Sequence, residues 1–302
     1  MAEVSAPSPE PPLVSICIPA YKERDLKVAI GSALAQTYRN IEVIVSDDAP
    51  TDAIRNVCAG FGSAVRYVCN EDRVGRGRGN YRNLIREARG KYLKFLLDDD
   101  FLHPFCVREL VGLAEQPAAP RLVASLRQEV DEDGSPVKLI NPFQLESTLL
   151  RDGRELIRIM GLYLSNPIGE FSTVLIRRAD MLEPSGEPWG FDLEGELWRG
   201  LDDVATWVRL GLLGPVAIHA TPLSFFRRHP NVNSNPAYNP EFIYALTDWS
   251  LLLKYVVRHR FISGEEIDRS LARLREIYDM CAHLYPELDG LYAQTVAELK
   301  GG

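Results

Sequence analysis

Apolar, β-prone runs alternate with helical patterns through the first 115 residues. The runs are LVSICI (13–18), IEVIVS (41–46), AVRYVC (64–69) and KYLKFLL (91–97). Each is nearly continuous in its hydrophobicity, as expected of strands that helices cover on both faces. Strand and helix that alternate four times predict an α/β fold with a mostly parallel central sheet flanked by helices. Sheets of this kind bind ligands at the carboxyl ends of their strands.

The helices that follow these runs start at recognisable signals. Asp25 is a candidate N-cap for the first helix and Thr51 or Asp52 for the second, while Pro104 suits the first turn of the fourth. The third helix is predicted over residues 80–89. Acidic, basic and aromatic residues therefore gather just after the strands, at one edge of one sheet.

The charge balance limits the partners of this chain. It has 34 Lys and Arg against 42 Asp and Glu, a net charge of −8 over 302 residues. An acidic protein gains no general attraction to a nucleic-acid backbone, so we expect no nucleic-acid partner. A small anionic ligand stays open, because a local basic loop can hold a phosphate whatever the net charge.

Cysteine usage and the N-terminal stretch predict a cytoplasmic protein. The five cysteines form no Cys-x-x-Cys pair, which favours buried thiols in a reducing compartment over a disulfide framework or a zinc site. The stretch MAEVSAPSPEPP is acidic and Pro-rich, so residues 1–12 are predicted to be a disordered leader and not a signal peptide. No run approaches the ~18 apolar residues of a membrane-spanning helix.

Three adjacent carboxylates, Asp98–Asp100, follow the fourth apolar run. They repel one another, and burying them unpaired would be costly, so one interpretation is a divalent cation that relieves the repulsion. Mg²⁺ and Mn²⁺ prefer oxygen ligands and commonly use only one or two protein carboxylates. The alternative is a solvated turn that caps the next helix. A phosphatase of the Asp-x-Asp-x-Thr kind is disfavoured, because Leu102 stands where threonine is needed.

The glycine-rich stretch RVGRGRGNYRN (73–83) precedes the third helix. Backbone amides at a helix start, together with guanidinium groups, suit a diphosphate. The stretch is neither a Walker loop nor Gly-x-Gly-x-x-Gly, since Asn80 stands where a glycine is required. A solvated loop is an equally good interpretation. Its arginines are Arg73, Arg76, Arg78 and Arg82.

Two further aspartate pairs have both a structural and a functional interpretation. Asp47-Asp48 either ends a strand and caps a helix, or accepts a hydrogen bond from a pyrimidine base. Asp202-Asp203 begins an amphipathic helix, where it either complements the helix dipole or supplies a general base across the cleft from the metal. In the polar stretch SFFRRHPNVNS (224–234), His229 is a candidate for metal or phosphate binding.

Five ordered motifs resemble those of the family 2 glycosyltransferases, whose nucleotide-sugar-binding fold is called GT-A. They are VSICIPAYKE, AIGSALAQTYRNIEVIVSDDAPTD, ARGKYLKFLLDDDFLHP, LDDVATWVRL and FFRRHPNVNS. The resemblance runs from about Val14 to Ser234 and implies a Rossmann-like GT-A fold. It also implies inverting transfer of a sugar from a nucleoside diphosphate, with UDP or dTDP favoured, to a hydroxyl of a glycan, lipid-linked or other small acceptor.

The resemblance assigns the donor site to residues after the first two strands. Asp48 would contact the base of the nucleotide, and Arg76, Arg82 and Asp98 would lie near the nucleotide. The residues that would shape the base pocket are Pro19, Ala20, Tyr21 and Glu23.

It also implies a Mn²⁺ or Mg²⁺ cofactor and a catalytic aspartate. Counted back from Pro104, the family's Asp-x-Asp-Asp segment makes Asp99 the first choice of metal ligand, and Leu97 replaces the segment's first aspartate. The metal set predicted on this basis is Asp99, Asp100 and His229, with Asp98 and Asp100 as an alternative pair. Asp203 would be the base, preceded by Asp202 in place of the usual glutamate, and Arg227 and Arg228 would close over the diphosphate.

We expect a nucleotide-sugar-binding half over residues 13–115, an acceptor half of the same GT-A domain over 116–235, and a helical extension over 236–302. Trp189 and Trp198 are candidates for stacking on an acceptor sugar, although tryptophans are more often core residues. The extension would dock on the domain, form a homodimer or, through its basic edge, touch the inner face of the membrane.

The resulting hypothesis is a glycosyltransferase of polysaccharide biosynthesis with a glycan or small-molecule acceptor. The alternative is a non-catalytic module of the same fold that binds a nucleotide sugar or a glycan. The presence of Asp203 and the aspartate triplet counts against that alternative. A glycoside hydrolase would need two opposed carboxyl groups but neither a nucleotide pocket nor a metal.

Overall fold

The computed structural model describes residues 10–71, 77–229 and 236–301. Its first half contains the predicted alternation of strand and helix, and four strands pair in parallel in the order β3-β2-β1-β4. The elements are β1 (Val14–Ala20), α1 (Leu26–Leu34), β2 (Ile41–Asp47), α2 (Ala53–Ala59), β3 (Arg66–Cys69), α3 (Arg78–Glu87), β4 (Tyr92–Phe95), β5 (Phe101–Leu102) and α4 (Cys106–Ala114).

The second half extends the same sheet with mixed pairing. Its elements are β6 (Leu122–Val130), β7 (Pro136–Ile140), β8 (Leu149–Arg151), α5 (Gly153–Tyr163), β9 (Val174–Arg177), β10 (Asp192–Leu193), β11 (Glu196–Leu197), α6 (Asp202–Leu213) and β12 (Val216–Arg227). Strand β9 lies antiparallel between β4 and β6, and β12 runs parallel to β6. The sheet order is therefore β3-β2-β1-β4-β9-β6-β12-β5, and only the first four strands form the purely parallel part that the sequence predicts.

Two apolar layers cover the faces of this sheet. Side chains alternate along each strand, so Ile16 and Ile18 of β1 pack in the layer under α1 and α4, whereas Cys17 packs in the opposite layer. That opposite layer holds Leu84 of α3 and Trp207 of α6. The helix that carries Asp202 and Asp203 is thus anchored to the sheet by its buried side.

The predicted C-terminal helices are α7 (Ile243–Arg258), α8 (Glu265–Cys281) and α9 (Leu288–Lys300). They join the layer under α5 and α6 through fully buried residues such as Leu252 and Val256. Of the residues of the predicted basic edge, Lys254, Arg258, His259 and Arg260, Lys254 lies 2.7 Å from Glu298 and Arg258 lies 3.1 Å from Glu194. In the described ranges, none of the helices combines the length and the apolar character needed to cross a bilayer.

Candidate functional site

The loop after β4 brings the aspartate triplet against the end of β1. The two strands are parallel neighbours, with Cys17 opposite Phe95, so both end at the same edge of the sheet. There Asp98 Oδ2 accepts hydrogen bonds from the backbone amides of Tyr21, at 2.7 Å, and Lys22, at 2.6 Å. Burial, with the nearby charge of Asp99, raises the pKa of Asp98 to about 6.

A cavity of about 130 Å³ lies beside this loop. It is lined by Lys22, Arg24, Asp25, Asp98, Asp99, His229 and Tyr238. Within it, Asp99 Oδ2 and His229 Nε2 are 3.1 Å apart. A carboxylate oxygen and an imidazole nitrogen so close together can bind the same cation.

Two protein ligands suit Mg²⁺ or Mn²⁺ because these ions keep several positions for phosphate and water. Among the described residues there is no group of three or more His, Cys, Asp or Glu side chains placed to hold a metal. A cation bound by Asp99 and His229 would therefore take its other ligands from a substrate and from water.

Asp100 does not belong to this pair, which corrects the prediction of Asp100 as a metal ligand. Its side chain is completely buried, and Oδ1 accepts a hydrogen bond from the backbone N–H of Arg227 at 3.1 Å. Burial raises its pKa well above the ordinary value. A carboxyl group in this position links the loop after β4 to the end of β12, and Asp100 is not among the residues that line the cavity.

Arg227 is also structural, contrary to its predicted contact with a diphosphate. It is 4% exposed, and its guanidinium donates hydrogen bonds to the backbone carbonyls of Asp99, at 2.9 Å, and Glu132, at 2.6 Å. It thereby holds the aspartate loop in place. Arg228, in contrast, has a side chain that is 62% exposed and lies 3.1 Å from Glu129. The rest of this predicted loop, residues 230–234, lies outside the described residues.

The pair Asp47-Asp48 divides into a structural and an available carboxylate. Asp47 is buried, and its two oxygens accept hydrogen bonds from the backbone amide of Ala49 and the hydroxyl of Tyr67, both at 2.8 Å. Asp48 is partly exposed at the edge of the sheet, where Oδ1 accepts from Asn70 Nδ2 at 2.9 Å. Neither aspartate caps the following helix, because α2 begins at Ala53 with Asp52 at its N-cap position. Asp47 fixes the turn after β2, and Asp48 stays available to a ligand.

The other predicted donor residues lie around the same edge. Pro19 and Ala20 end β1, Tyr21 is 60% exposed, and Arg82 of α3 is partly exposed. Arg76 lies outside the described residues, as does Arg73. Glu23 lines an open groove of about 460 Å³ together with Lys27, Thr51, Asp52, Ala53, Asn56 and Val57.

The first turn of α6 presents Asp203 in a closely fixed position. Its Oδ2 accepts a hydrogen bond from Asn166 Nδ2, and its Oδ1 accepts one from the backbone N–H of Val204, both at 2.7 Å. Burial is the main cause that raises the pKa of Asp203 to about 7, and the charge of Glu170 adds to it. Its neighbour Asp202 forms an ion pair with Arg78 of α3 at 3.3 Å.

The loop that supports Asp203 was missed by the sequence analysis. Asn166 closes this loop on itself, because Oδ1 accepts from the N–H of Gly169 at 2.9 Å and Nδ2 also donates to its carbonyl at 3.1 Å. The next residue, Glu170, lies 3.1 Å from the guanidinium of Arg127. The segment SNPIGEF offers no metal or nucleotide motif, so the only signal is a polar Asn-Pro-x-Gly turn.

Tyr81 of α3 links the two acidic groups. Its ring packs on Phe95 and Phe171, with centroid distances of 5.3 and 4.8 Å. Burial, and then the charges of Asp202, Asp203, Asp98 and Asp100, raise the pKa of its hydroxyl well above the usual value. The Tyr81 ring thus contacts both β4 and the segment that follows the Asn166 loop, and the charges of both acidic groups act on its hydroxyl.

Trp189 and Trp198 are both buried. Each is 1% exposed, and Trp189 Nε1 donates to the carbonyl of Asp192 at 3.0 Å. The prediction that they stack on an acceptor sugar is wrong for this structure, because neither ring presents a free face. They are core residues, as the alternative interpretation held.

Comparison with known proteins gives a consistent picture. The family model described as Glycosyl transferase family 2 matches residues 15–179. An uncharacterized protein of Mycobacterium tuberculosis is 30% identical over 242 residues, which cover 76% of this chain and 70% of that protein. An uncharacterized glycosyltransferase of Rickettsia prowazekii is 40% identical over 104 residues, 34% of this chain and 32% of its own length. The chain spans between 15% and 32% of the first five curated relatives it matches.

Two further similarities come from an enzyme and from solved structures. The UDP-Glc:alpha-D-GlcNAc-diphosphoundecaprenol beta-1,3-glucosyltransferase WfaP of Escherichia coli is 37% identical over 91 residues, 30% of this chain and 36% of that enzyme. The crystal structure of S. aureus TarS 1-349 superposes with a TM-score of 0.62 at 13% identity and covers 94% of this chain and 80% of that one. In complex with UDP-GlcNAc the same protein gives a TM-score of 0.59, at 14% identity, over 92% and 83% of the two chains. The fold is GT-A, and the chain belongs to glycosyl transferase family 2.

Proposed function

We propose that this chain is an inverting glycosyltransferase that moves a sugar from a UDP- or dTDP-sugar to a hydroxyl of a glycan, lipid-linked or other small acceptor. The observation that carries the proposal is Asp203, a carboxylate that Asn166 and the N–H of Val204 fix in the first turn of α6. A donor site alone would need no such group on α6. A base and a diphosphate site in one cleft are what a direct displacement at a sugar carbon requires.

The donor is proposed to bind at the ends of β1 and β2. Asp48 is the partly exposed carboxylate there, and it suits the ring N–H of a pyrimidine. The names of the similar proteins support a UDP-sugar, since one is a UDP-Glc-dependent glucosyltransferase and another was solved with UDP-GlcNAc. Tyr21, which follows β1 and has an exposed side chain, is proposed to cover the nucleotide.

Asp99 and His229 are proposed to hold a divalent cation, Mn²⁺ or Mg²⁺. Their ligand atoms are 3.1 Å apart at a cavity, and a diphosphate oxygen is a preferred partner for such an ion. When bound, the cation would offset the charge that develops on the leaving diphosphate. Arg228 is the exposed arginine of the same segment and would add to that stabilisation.

Asp203 is proposed to accept the proton of the attacking hydroxyl. A hydroxyl is a weak nucleophile until a base takes its proton during attack, and a carboxylate with a pKa of about 7 is well matched to that task. Asn166 and the N–H of Val204 each donate to one of its oxygens and so fix its orientation. Attack from the side of Asp203 on a donor held at the opposite side of the cleft inverts the anomeric carbon.

Release of nucleoside diphosphate tests the proposal. The protein is incubated with a panel of UDP- and dTDP-sugars and hydroxyl acceptors, with Mn²⁺ and then with a chelator, and the nucleoside diphosphate is quantified. Metal-dependent release that needs an acceptor is the expected result. Binding of the nucleotide sugar without release of nucleoside diphosphate would instead favour the non-catalytic module. Equal release with Mn²⁺ and with chelator would contradict the role of Asp99 and His229.

A further inference from the structure

We propose that Asp248 of α7 is a positioning residue for Asp203, so that the C-terminal helices form part of the catalytic unit. The inference rests on the proposed function, because that function makes Asp203 the base. It concerns the turn formed by residues 199–201, which leads directly into α6.

One carboxylate oxygen of Asp248 binds the backbone of this turn. Oδ2 accepts hydrogen bonds from three successive N–H groups, those of Arg199 at 2.9 Å, Gly200 at 2.7 Å and Leu201 at 2.9 Å. The side chain is 2% exposed, and hydrogen bonds to a buried carboxylate are stronger than those between neutral groups.

The location of these bonds is what connects Asp248 to the base. Leu201 occupies the N-cap position of α6, and Asp202 and Asp203 are the first residues of that helix. The three amides that Asp248 binds are those of this N-cap residue and of the two residues before it. A residue of a different helix therefore fixes the chain just where α6 begins.

Gly200 indicates how closely α7 and the turn are packed. A Cβ atom at this position would lie 2.2 Å from the backbone nitrogen of Ala245, in the first turn of α7. The contact is with backbone, which cannot rotate away as a long side chain would. Turn and helix therefore cannot shift independently.

The turn is held from the donor side as well. Arg78 of α3 donates to the carbonyl of Trp198 and lies 3.3 Å from Asp202 Oδ1. Residues 198–202 are thus clamped between a helix of the nucleotide-binding half and a helix of the C-terminal segment. Since Asp203 follows this clamp directly, loss of one side displaces the carboxylate relative to the acceptor hydroxyl.

The first test is steady-state kinetics of Asp248→Ala, with Ser250→Ala as matched control. Ser250 lies on the same helix and is equally buried, but its hydroxyl bonds to Thr295 of α9 at 2.7 Å and not to the turn. A catalytic group that is misplaced by 1 Å loses about 10²-fold in rate, so we expect kcat of Asp248→Ala to fall by about that factor with the donor KM unchanged. Ser250→Ala should keep its turnover.

Asp248→Asn keeps an oxygen acceptor and should have most of the wild-type turnover. If Asp248→Ala does not fold, Asp248→Asn still allows the role of this side chain to be tested. In an Asp203→Asn background, Asp248→Ala should add little further loss, because both changes act on one group. The proposal would be overturned if the free-energy effects of the two substitutions on kcat added fully in the double variant. An unchanged kcat in Asp248→Ala would also overturn it.

Hydrogen exchange separates this inference from the proposed function, because it needs no activity. Amides 199–205 should exchange faster in Asp248→Ala than in the wild type and in Asp248→Asn, while those of β1 and β2 keep their protection. Unchanged exchange at 199–205 would overturn the positioning role whatever the activity. If exchange at 199–205 is faster in Asp248→Ala but Asp203→Asn keeps full turnover, Asp203 is not the base. The contact between Asp248 and the turn would then still hold.

Discussion

At the residue scale, two adjacent aspartates on α6 differ in what surrounds them. Asp202 faces the guanidinium of Arg78, whereas Asp203 accepts from the neutral groups of Asn166 and Val204. A cationic partner stabilises the charged form of a carboxylate, and burial without one destabilises it. Asp203 is therefore suited to gain a proton near neutral pH, and its neighbour differs from it by the ion pair with Arg78.

Asp203→Asn should slow transfer by about 10²–10⁴-fold, the usual contribution of a general base, and leave donor affinity unchanged. The folded state should be maintained, because the asparagine side chain keeps an oxygen that accepts from the backbone N–H of Val204. Since the folded-state pKa of Asp203 is raised to about 7, its ionisation costs stability as the pH rises through that value, and the neutral variant should melt higher than the wild type at pH 8. Turnover assays, calorimetry with UDP and thermal melts measure the three quantities. A variant with nearly full turnover would refute the assignment.

The pH–rate profile gives an independent check. Only deprotonated Asp203 can accept a proton, so kcat should rise with pH through an apparent pKa of about 7. Asn166 donates to the carboxylate and so favours its charged form. Asn166→Ala should consequently move this limb to higher pH and lower the plateau. If the apparent pKa of kcat is the same in Asn166→Ala as in the wild type, Asn166 does not act on the titrating group.

At the element scale, the alternation of strand and helix could be predicted from the sequence because apolar periodicity depends on local spacing. What could not be predicted is which polar residues become buried. Asp100 and Arg227 are adjacent to cleft residues in sequence, yet the pairing of β12 with the loop after β4 buries both. Asn166 contacts Asp203, and Asp248 contacts the turn before α6, both from distant segments, and no local pattern marks such tertiary contacts.

The crossing of α5 and α6 sets the position of the proposed base helix. A Cβ at Gly153, the first residue of α5, would lie 2.3 Å from the carbonyl oxygens of Gly211 and Gly214. Gly153→Ala must therefore separate the two helices, and overpacking of this kind typically costs about 1–3 kcal/mol of unfolding free energy. Gly112→Ala is the control, because nothing lies within 4 Å of a Cβ at this site in α4. That variant should gain up to about 1 kcal/mol from helix propensity. Urea unfolding curves compare them, and equal stabilities would contradict the close crossing.

At the scale of the whole molecule, the site is shared between parts of one continuous sheet. The ends of β1, β2 and β4 supply the proposed donor residues, and β12 brings His229 to Asp99. The proposed base lies on α6, which packs on α5, and the turn before α6 contacts α7 at residues 199–201. Donor binding and proton transfer therefore depend on different elements, and they should be separable by mutation.

Binding of UDP tests that separation. A ligand at 100-fold its Kd adds about 2.7 kcal/mol to native-state stability, so the melting temperature should rise with UDP and Mn²⁺ together. Asp99→Asn should abolish the metal-dependent part of this rise. Asp48→Ala should weaken UDP binding by about 1.5–3 kcal/mol, the value of a hydrogen bond to a charged group, and keep the metal requirement. UDP and Mn²⁺ should raise the melting temperature of Asp203→Asn by as much as that of the wild type.

The control for charge is Asp268→Asn on α8, whose exposed side chain pairs with Lys300 far along the chain. It removes the same single charge as Asp99→Asn, so a loss of metal dependence confined to Asp99→Asn would assign the effect to the cavity and not to net charge. An equal rise in melting temperature with Mn²⁺ and with chelator would instead exclude a cation between Asp99 and the diphosphate. In that case basic side chains would offset the leaving charge, among them Lys22 and Arg24 of the cavity lining and Arg228 next to His229 in the chain. Arg228→Ala should then lower UDP affinity more than Asp99→Asn does.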